Sequence, residues 1–104
     1  MFATIRRYEG VDVTRIDEIT GKIDETLVPH LRDLPGFVAY YLLDAGNGVV
    51  SSFGVFETRD QADESSRLVT DWIADEKLGD ALPNTPQITA GKVVAHAEGL
   101  VPVV

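Results

Sequence analysis

The chain contains no cysteine, and basic residues are scarce beside acidic ones. Without cysteine it can form no disulfide, thiolate zinc site, iron–sulfur cluster or cysteine nucleophile. Lysine and arginine total 9 against 17 acidic residues, for a formal net charge of −8, which disfavours contact with nucleic acid and with anionic membranes. No apolar run approaches the length of a membrane span, and the first residues lack the features of a secretory signal. These absences predict a cytoplasmic protein with neither kind of partner.

Sequence motifs for phosphate, metal and triad chemistry are also missing. The turn at Gly46-Asn47-Gly48 lacks the third glycine of a phosphate loop and leads into a strand. The two histidines, His30 and His96, are far apart in sequence, and nothing positions the carboxylates that a two-histidine metal site needs. We therefore expect no metal and no cofactor.

The composition is that of a folded domain. The 104 residues are 44% hydrophobic and 25% charged, which fits one domain with its own core. We assign residues 1–98 to this domain and residues 99–104 to an apolar C-terminal tail. The tail would expose contiguous apolar surface if it were free, so we expect it to dock on protein, with a partner protomer as the favoured acceptor.

Two kinds of apolar periodicity mark the elements of the domain. Alternating or continuously apolar runs predict strands over residues 2–8, 37–44, 49–56 and 88–97, and repeats of three or four predict helices over residues 12–34 and 58–78. Asp12 or Thr14 can cap the first helix, with Thr14 and Asp17 resembling a capping box, and Thr58 with Gln61 predicts such a box for the second. Pro29 predicts a kink inside the first helix, and Gly79 is expected to end the second.

The order β-α-β-β-α-β predicts a ferredoxin-like α+β fold. Right-handed crossovers then give a four-stranded antiparallel sheet of order 4-1-3-2 with both helices on one face. The run from Phe37 to Leu43 has no polar position, so this strand must be covered on both faces. Because two helices cover only one face, the sequence predicts a homodimer.

Several polar-tipped residues are candidates for a site. Helical spacing directs His30 and Trp72 toward the sheet, where a neutral imidazole could act as a base. The competing interpretation is a structural histidine bonded to nearby carbonyls. Tyr41 is a candidate wall for a planar ligand, or simply packing. Arg6 and Arg7 point to opposite faces of the first strand, so one enters a covered space. We expect it to pair with a carboxylate, the alternative being an anchor for an anionic ligand.

The chain resembles the antibiotic biosynthesis monooxygenase-like family of the dimeric α+β barrel superfamily. The resemblance covers nearly the whole chain. It rests on five segments: a first strand that opens at Met1, the end of the first helix from Val28 to Phe37, the strand end Tyr41-Leu42-Leu43, the helix entry Phe56-Glu57-Thr58, and a closing strand from Ala90 to His96.

The resemblance to this family implies a homodimer in which the sheets of the two protomers pack face to face. It also implies oxidation of quinol-like aromatics by oxygen without metal or flavin, haem degradation, or no activity. Haem-degrading members use an asparagine on the first strand and a histidine after the helix tryptophan. Since both are missing here, this activity is disfavoured.

Two main functions remain open from the sequence. The first is a cofactor-independent monooxygenase that acts on a small aromatic substrate, with His30 as catalytic base and Trp72 and Tyr41 as substrate-binding walls. The second is a dimer of the same fold that binds a small ligand, or regulates, without chemistry. A third is a dimer with no catalytic role. The site is expected between the helices and the sheet.

Overall fold

One antiparallel sheet forms the frame of the protein. The computed structural model describes residues 1–99, and the predicted docking of the tail lies largely outside these residues. The strands are β1 (Phe2–Tyr8), β2 (Phe37–Gly46), β3 (Val49–Phe56) and β4 (Gln87–Lys92), in the spatial order β2-β3-β1-β4. Neighbouring strands are antiparallel throughout. The predicted α+β ferredoxin-like fold and strand order are confirmed.

The last strand is shorter than predicted. β4 ends at Lys92, which pairs with Phe2, the first residue of β1. Beyond that pair β1 offers no further strand residue. One hydrogen bond of 2.9 Å, from the Val93 N–H to the Met1 carbonyl, ends the pairing of the two strands. The apolar alternation up to residue 97 therefore continues without a strand to pair with.

The first helical region is built from four consecutive segments. A 3₁₀ turn (Val13–Arg15) leads into α1 (Ile16–Lys22), a π-helical segment (Ile23–Leu27) and α2 (Val28–Arg32). Asp12 caps the first turn by accepting from the backbone N–H of Thr14 at 3.0 Å. The capping box expected from Thr14 and Asp17 is wrong, because the Thr14 hydroxyl instead donates to Asp12.

The π-helical segment is the irregularity that Pro29 predicts. Proline removes one backbone donor from a helix, and a wider turn of the preceding residues accommodates the loss. Pro29 itself lies in the first turn of α2, where a missing N–H is tolerated. The segment matters for the site because Ile23 and Leu27 are buried and Thr26 faces α3.

The third α-helix, α3 (Arg59–Asp75), begins at the predicted capping box. Thr58 accepts from the Gln61 N–H, and the Gln61 side chain accepts from the Thr58 N–H. The expected stop at Gly79 is wrong: the helix ends earlier, with Lys77 in the left-handed region at φ 56°. Bonds from Leu78 N–H to the Ile73 carbonyl and from Lys77 N–H to the Ala74 carbonyl form a Schellman motif. Full burial of Leu78 anchors this end.

The helices cover one face of the sheet only. That face holds the core, formed with the helices by twelve buried apolar residues: Tyr8, Val11, Ile19, Ile23, Leu27, Leu31, Val50, Phe56, Ala62, Trp72, Leu78 and Ala81. On the opposite face Tyr41 is 64% exposed and Leu43 is 50% exposed. Strand alternation thus separates an inner, helix-covered face from an outer apolar face. Within residues 1–99, no helix has both the length and the apolar character that crossing a membrane requires.

Candidate functional site

Three adjoining cavities lie between the sheet and the helices. The largest, about 260 Å³, opens at the edge strand β4 and is bounded by α3 and the connector Leu82–Pro86. Behind it lies an inner void of about 30 Å³ with apolar walls, and Tyr8 lines both. A third space of about 20 Å³ continues along the sheet and shares Arg6 with the open cavity and Tyr40 with the inner void. These shared residues make the three spaces one candidate site.

Arg6 is the charged residue of this site. Alternation along β1 turns Arg6 under the helices, where it is 6% exposed, and turns Arg7 to the outer face. Arg7 pairs with Glu9 at 3.0 Å. In contrast, none of the ion pairs formed within residues 1–99 includes Arg6. The expectation that the covered arginine pairs with a carboxylate is therefore wrong for this part of the chain.

The surroundings of Arg6 leave its charge uncompensated. Among residues 1–99, no aspartate or glutamate lines any of the three cavities. The chain carries 17 acidic residues, so their exclusion from this space creates a local positive field in an acidic protein. A buried charge without a partner is costly to fold, and such groups concentrate at functional sites.

Two tyrosines, Tyr8 and Tyr40, lie close enough to Arg6 to feel its charge. Burial raises the pKa of Tyr8, and the charge of Arg6 and its hydrogen bond to the phenol partly oppose this shift. Burial likewise raises the pKa of Tyr40 to about 12, opposed by a hydrogen bond with Ser52 and by Arg6. Both phenols are therefore protonated at neutral pH. They can donate hydrogen bonds to a ligand oxygen, and they are poor bases.

Trp72 fixes the wall opposite the sheet. It is 7% exposed and lines the inner void, and its indole Nε1 donates to the Thr26 hydroxyl at 2.7 Å. Thr26 in turn donates to the Lys22 carbonyl. This chain of bonds ties α3 to the π-helical segment across the roof of the void.

The structure does not bring the three predicted site residues together. Trp72 lies under the helices as expected, but His30 is exposed and lines an outer groove that Trp72 also borders. Tyr41 lies on the outer face of the sheet. The predicted grouping of His30, Trp72 and Tyr41 in one cavity is therefore wrong. Whether each residue has its predicted role stays a prediction.

The causes of this error are local. Buried positions in the first helical region advance in steps of four through Ile19, Ile23, Leu27 and Leu31, so His30 lies one residue, or about 100°, from the buried line. In β2, alternation places Tyr40 inward and Tyr41 outward. A register shift between Phe37 and Ala39 helps to decide which residues of β2 point inward. Because the strand is apolar on both faces, its sequence does not show which face is the inner one.

The structure groups Tyr8, Tyr40 and Ser52 with Arg6 in one site, a grouping that the sequence analysis did not make. The signal that could have found them is the pairing of strands: Tyr8 lies opposite Val50 and Arg6 opposite Ser52 in β3, while Leu42 is the β2 partner of Ser52. These register neighbours share the inner face.

Comparisons with known proteins give a consistent likeness in structure. No family model and no curated protein matches the sequence. The fold is similar to Rv0793 of Mycobacterium tuberculosis, with 19% identity and a TM-score of 0.70 over 93% of this chain and 98% of that one. It is similar to a monooxygenase from the gene ActVA-Orf6 of Streptomyces coelicolor, solved with the ligand Nanaomycin D, with 14% identity and a TM-score of 0.67 over 98% and 92%.

A third similar structure is named an antibiotic biosynthesis monooxygenase; it has 19% identity and a TM-score of 0.67, over 91% of this chain and all of that one. At these identities the likeness establishes architecture. The chain therefore has the fold of the antibiotic biosynthesis monooxygenase-like proteins, as its sequence resemblance indicates.

Proposed function

We propose that the chain is a member of the antibiotic biosynthesis monooxygenase-like family that oxidises a small, quinol-like aromatic with molecular oxygen. The observation that carries the proposal is the position of two protonated phenols: Tyr8 and Tyr40 line the largely apolar inner void, and Tyr8 also lines the open cavity beside it. One similar structure was solved with the ligand Nanaomycin D. A planar ligand fits the open cavity, since an apolar cavity of about 150 Å³ already accepts benzene and this one measures about 260 Å³.

The reaction needs a substrate that is itself the reductant. In its keto tautomer an activated phenol or quinol carries a CH₂ carbon; this carbon loses a proton, and the resulting carbanion forms a carbon–oxygen bond with O₂. Protonation gives a hydroperoxide, whose O–O bond breaks as the same carbon loses its second proton. A CH₂ group and O₂ thus become a carbonyl and water. The electrons balance without a cofactor, consistent with the predicted class of enzyme.

The residues of the cavity have separate roles in this scheme. The hydroxyl of Tyr8, with Tyr40 behind it, donates hydrogen bonds to the substrate oxygen as negative charge develops there. The inner void of about 30 Å³ is large enough for one small molecule, and its apolar walls suit dioxygen, which has no hydrogen bonds to lose. Trp72 bounds this void as a wall.

The sequence suggests His30 as the base that takes the first proton, and we propose a different path. His30 is exposed on the outer surface, so we assign the proton to water at the open mouth of the cavity. Substitution His30→Ala should leave oxygen uptake unchanged. A loss of uptake with intact ligand binding would restore His30 as the base.

The alternative is a dimer of the same fold that binds a small ligand without chemistry. A specific observation favours it: within residues 1–99 no carboxylate or imidazole lines the three cavities, so no side chain there is an evident base.

Oxygen consumption with a panel of quinols and anthrone-like aromatics separates the two functions. The monooxygenase proposal expects uptake by wild type and a strong loss in Tyr8→Phe. Binding of these compounds without uptake by wild type would support the non-catalytic alternative.

We also propose that the protein is a homodimer and that the outer face of the sheet is its interface. That face presents Tyr41 and Leu43, which are half or more exposed, and Val38 beside them is 41% exposed. Apolar area of this kind is characteristic of obligate interfaces. Face-to-face packing of two sheets would make the dimeric α+β barrel that the resemblance implies. A cytoplasmic location and the lack of a nucleic-acid partner stay predictions.

A further inference from the structure

We propose that the ligand of the open cavity is an aromatic acid whose carboxylate pairs with Arg6. This inference deepens the proposed function by naming a substrate class, and it rests on that function only for the chemistry that follows binding. Its basis is one juxtaposition: an arginine that is more than nine-tenths buried lines a cavity that is open to solvent and has apolar residues over half of its wall.

The charge argument comes first. Arg6 has no ion-pair partner within residues 1–99, and no acidic residue of that part of the chain lines the cavity. A guanidinium offers a planar fork of donors that matches a carboxylate in a bidentate pair. The polar side chains of residues 1–99 that line the open cavity with it, Tyr8, Thr70, Asn84 and Thr85, are uncharged and so cannot neutralise it. A ligand anion would supply the missing charge.

The shape argument gives the rest of the ligand. Half of the residues that line the cavity are apolar, namely Ile73, Leu82, Pro83, Pro86 and Ile88, and Thr70, Asn84 and Thr85 lie among them. Ile88 is opposite Arg6 in the β1–β4 pairing and is 58% exposed, although it lies on the inner face. The helices leave this edge of the sheet uncovered. A flat apolar ring would cover Ile88 while its carboxylate reaches the guanidinium.

The volume limits the ring system. At about 260 Å³, the cavity accepts one ring or two fused rings by comparison with the cavity of about 150 Å³ that holds benzene. The two stiff prolines of the connector, Pro83 and Pro86, favour a flat ligand between them and β4. A two-ring aromatic carboxylate therefore satisfies both the charge and the shape.

The experiment measures binding by isothermal titration, with 2-naphthoate as the probe and 2-naphthamide as its neutral isostere. Wild type should bind the acid at least about tenfold more tightly than the amide, because a buried charge pair contributes strongly to discrimination. Arg6→Gln should abolish that preference, and Arg6→Lys should retain part of it. Arg67→Gln is the matched control: it removes the same charge from an exposed pair on α3.

Each outcome bears on the inference. Equal affinity of wild type for acid and amide, or binding of neither, would overturn it, as would an acid preference that survives Arg6→Gln. Circular dichroism and thermal melts confirm that each variant is folded, and loss of fold in Arg6→Gln alone leaves Arg6→Lys and the wild-type ratio as decisive tests. Because oxygen uptake is not the readout, acid binding without uptake would refute only the monooxygenase proposal. Loss of the acid preference in Arg6→Gln, with uptake of neutral quinols unchanged, would support the inference, because a neutral quinol has no carboxylate for Arg6 to hold.

Discussion

Replacing Arg6 by methionine should make the protein more stable. Arg6 is 6% exposed and has no ion-pair partner within residues 1–99, so folding removes most of its hydration without a compensating charge. Methionine keeps most of the apolar stem and removes that penalty. Exchanges of buried ion pairs for apolar residues of similar volume are neutral or stabilise by about 1–4 kcal/mol, and we take this range as the guide for one buried charge. Arg6 reaches an open cavity and bonds to Tyr8, so we expect the lower part of that range, about 1–2 kcal/mol.

The assay is urea unfolding of Arg6→Met beside wild type at one protein concentration, supported by thermal melts. For a domain of this size the expected gain corresponds to an increase in Tm of about 4–16 °C. Arg67→Met is the control, since the exposed pair with Glu64 should change stability by no more than about 0.5 kcal/mol. Destabilisation of Arg6→Met by about 1 kcal/mol or more would refute the reasoning, because it would show that Arg6 holds the fold together and is not a ligand anchor maintained at the expense of stability.

Three further predictions concern the packing around the site and the sheet. Because Tyr40 has a pKa of about 12 when folded against 10.0 ordinarily, the unfolded state loses its proton first. Stability should therefore fall as pH rises between those values, less so in Tyr40→Phe, with Tyr41→Phe as the exposed control in urea unfolding. Trp72→Phe and Thr26→Val should show a coupling free energy of about 1 kcal/mol in a double-mutant cycle, because their 2.7 Å bond joins α3 to the π-helical segment; zero coupling would contradict that link. Tyr41→Asp should reduce the mass in light scattering from twice 11.3 kDa to 11.3 kDa, and a wild type that is already monomeric at micromolar concentration would contradict the dimer.

Most of the frame could be predicted from the sequence because local signals agree with one another. β1 and β3 have the predicted limits, and Thr58 with Gln61 forms the predicted cap. These features depend on neighbours close in sequence. The end of β4 depends on where β1 begins, and the end of α3 depends on burial of Leu78. Both are tertiary effects, so the sequence pattern misplaced them.

The site was harder to predict because it depends on which face of a strand or helix each residue occupies. A single step along β2 separates Tyr40, in the cavity, from Tyr41 on the outer face, and a single step along α2 separates buried Leu31 from exposed His30. The sequence did indicate that Arg6 or Arg7 enters a covered space. It could not show that the space excludes carboxylates, because that follows from the packing of α3 and the connector against β1.

The most direct test of the central claim is to locate a bound aromatic acid by NMR. Titration of ¹⁵N-labelled protein with 2-naphthoate should shift the amides of Arg6, Tyr8 and Ile88, and ring protons of the ligand should give nuclear Overhauser effects to Ile73 and Ile88. This result would place the ligand in the open cavity at β4. Shifts confined to the groove beside His30, or to the outer face around Tyr41, would contradict the account.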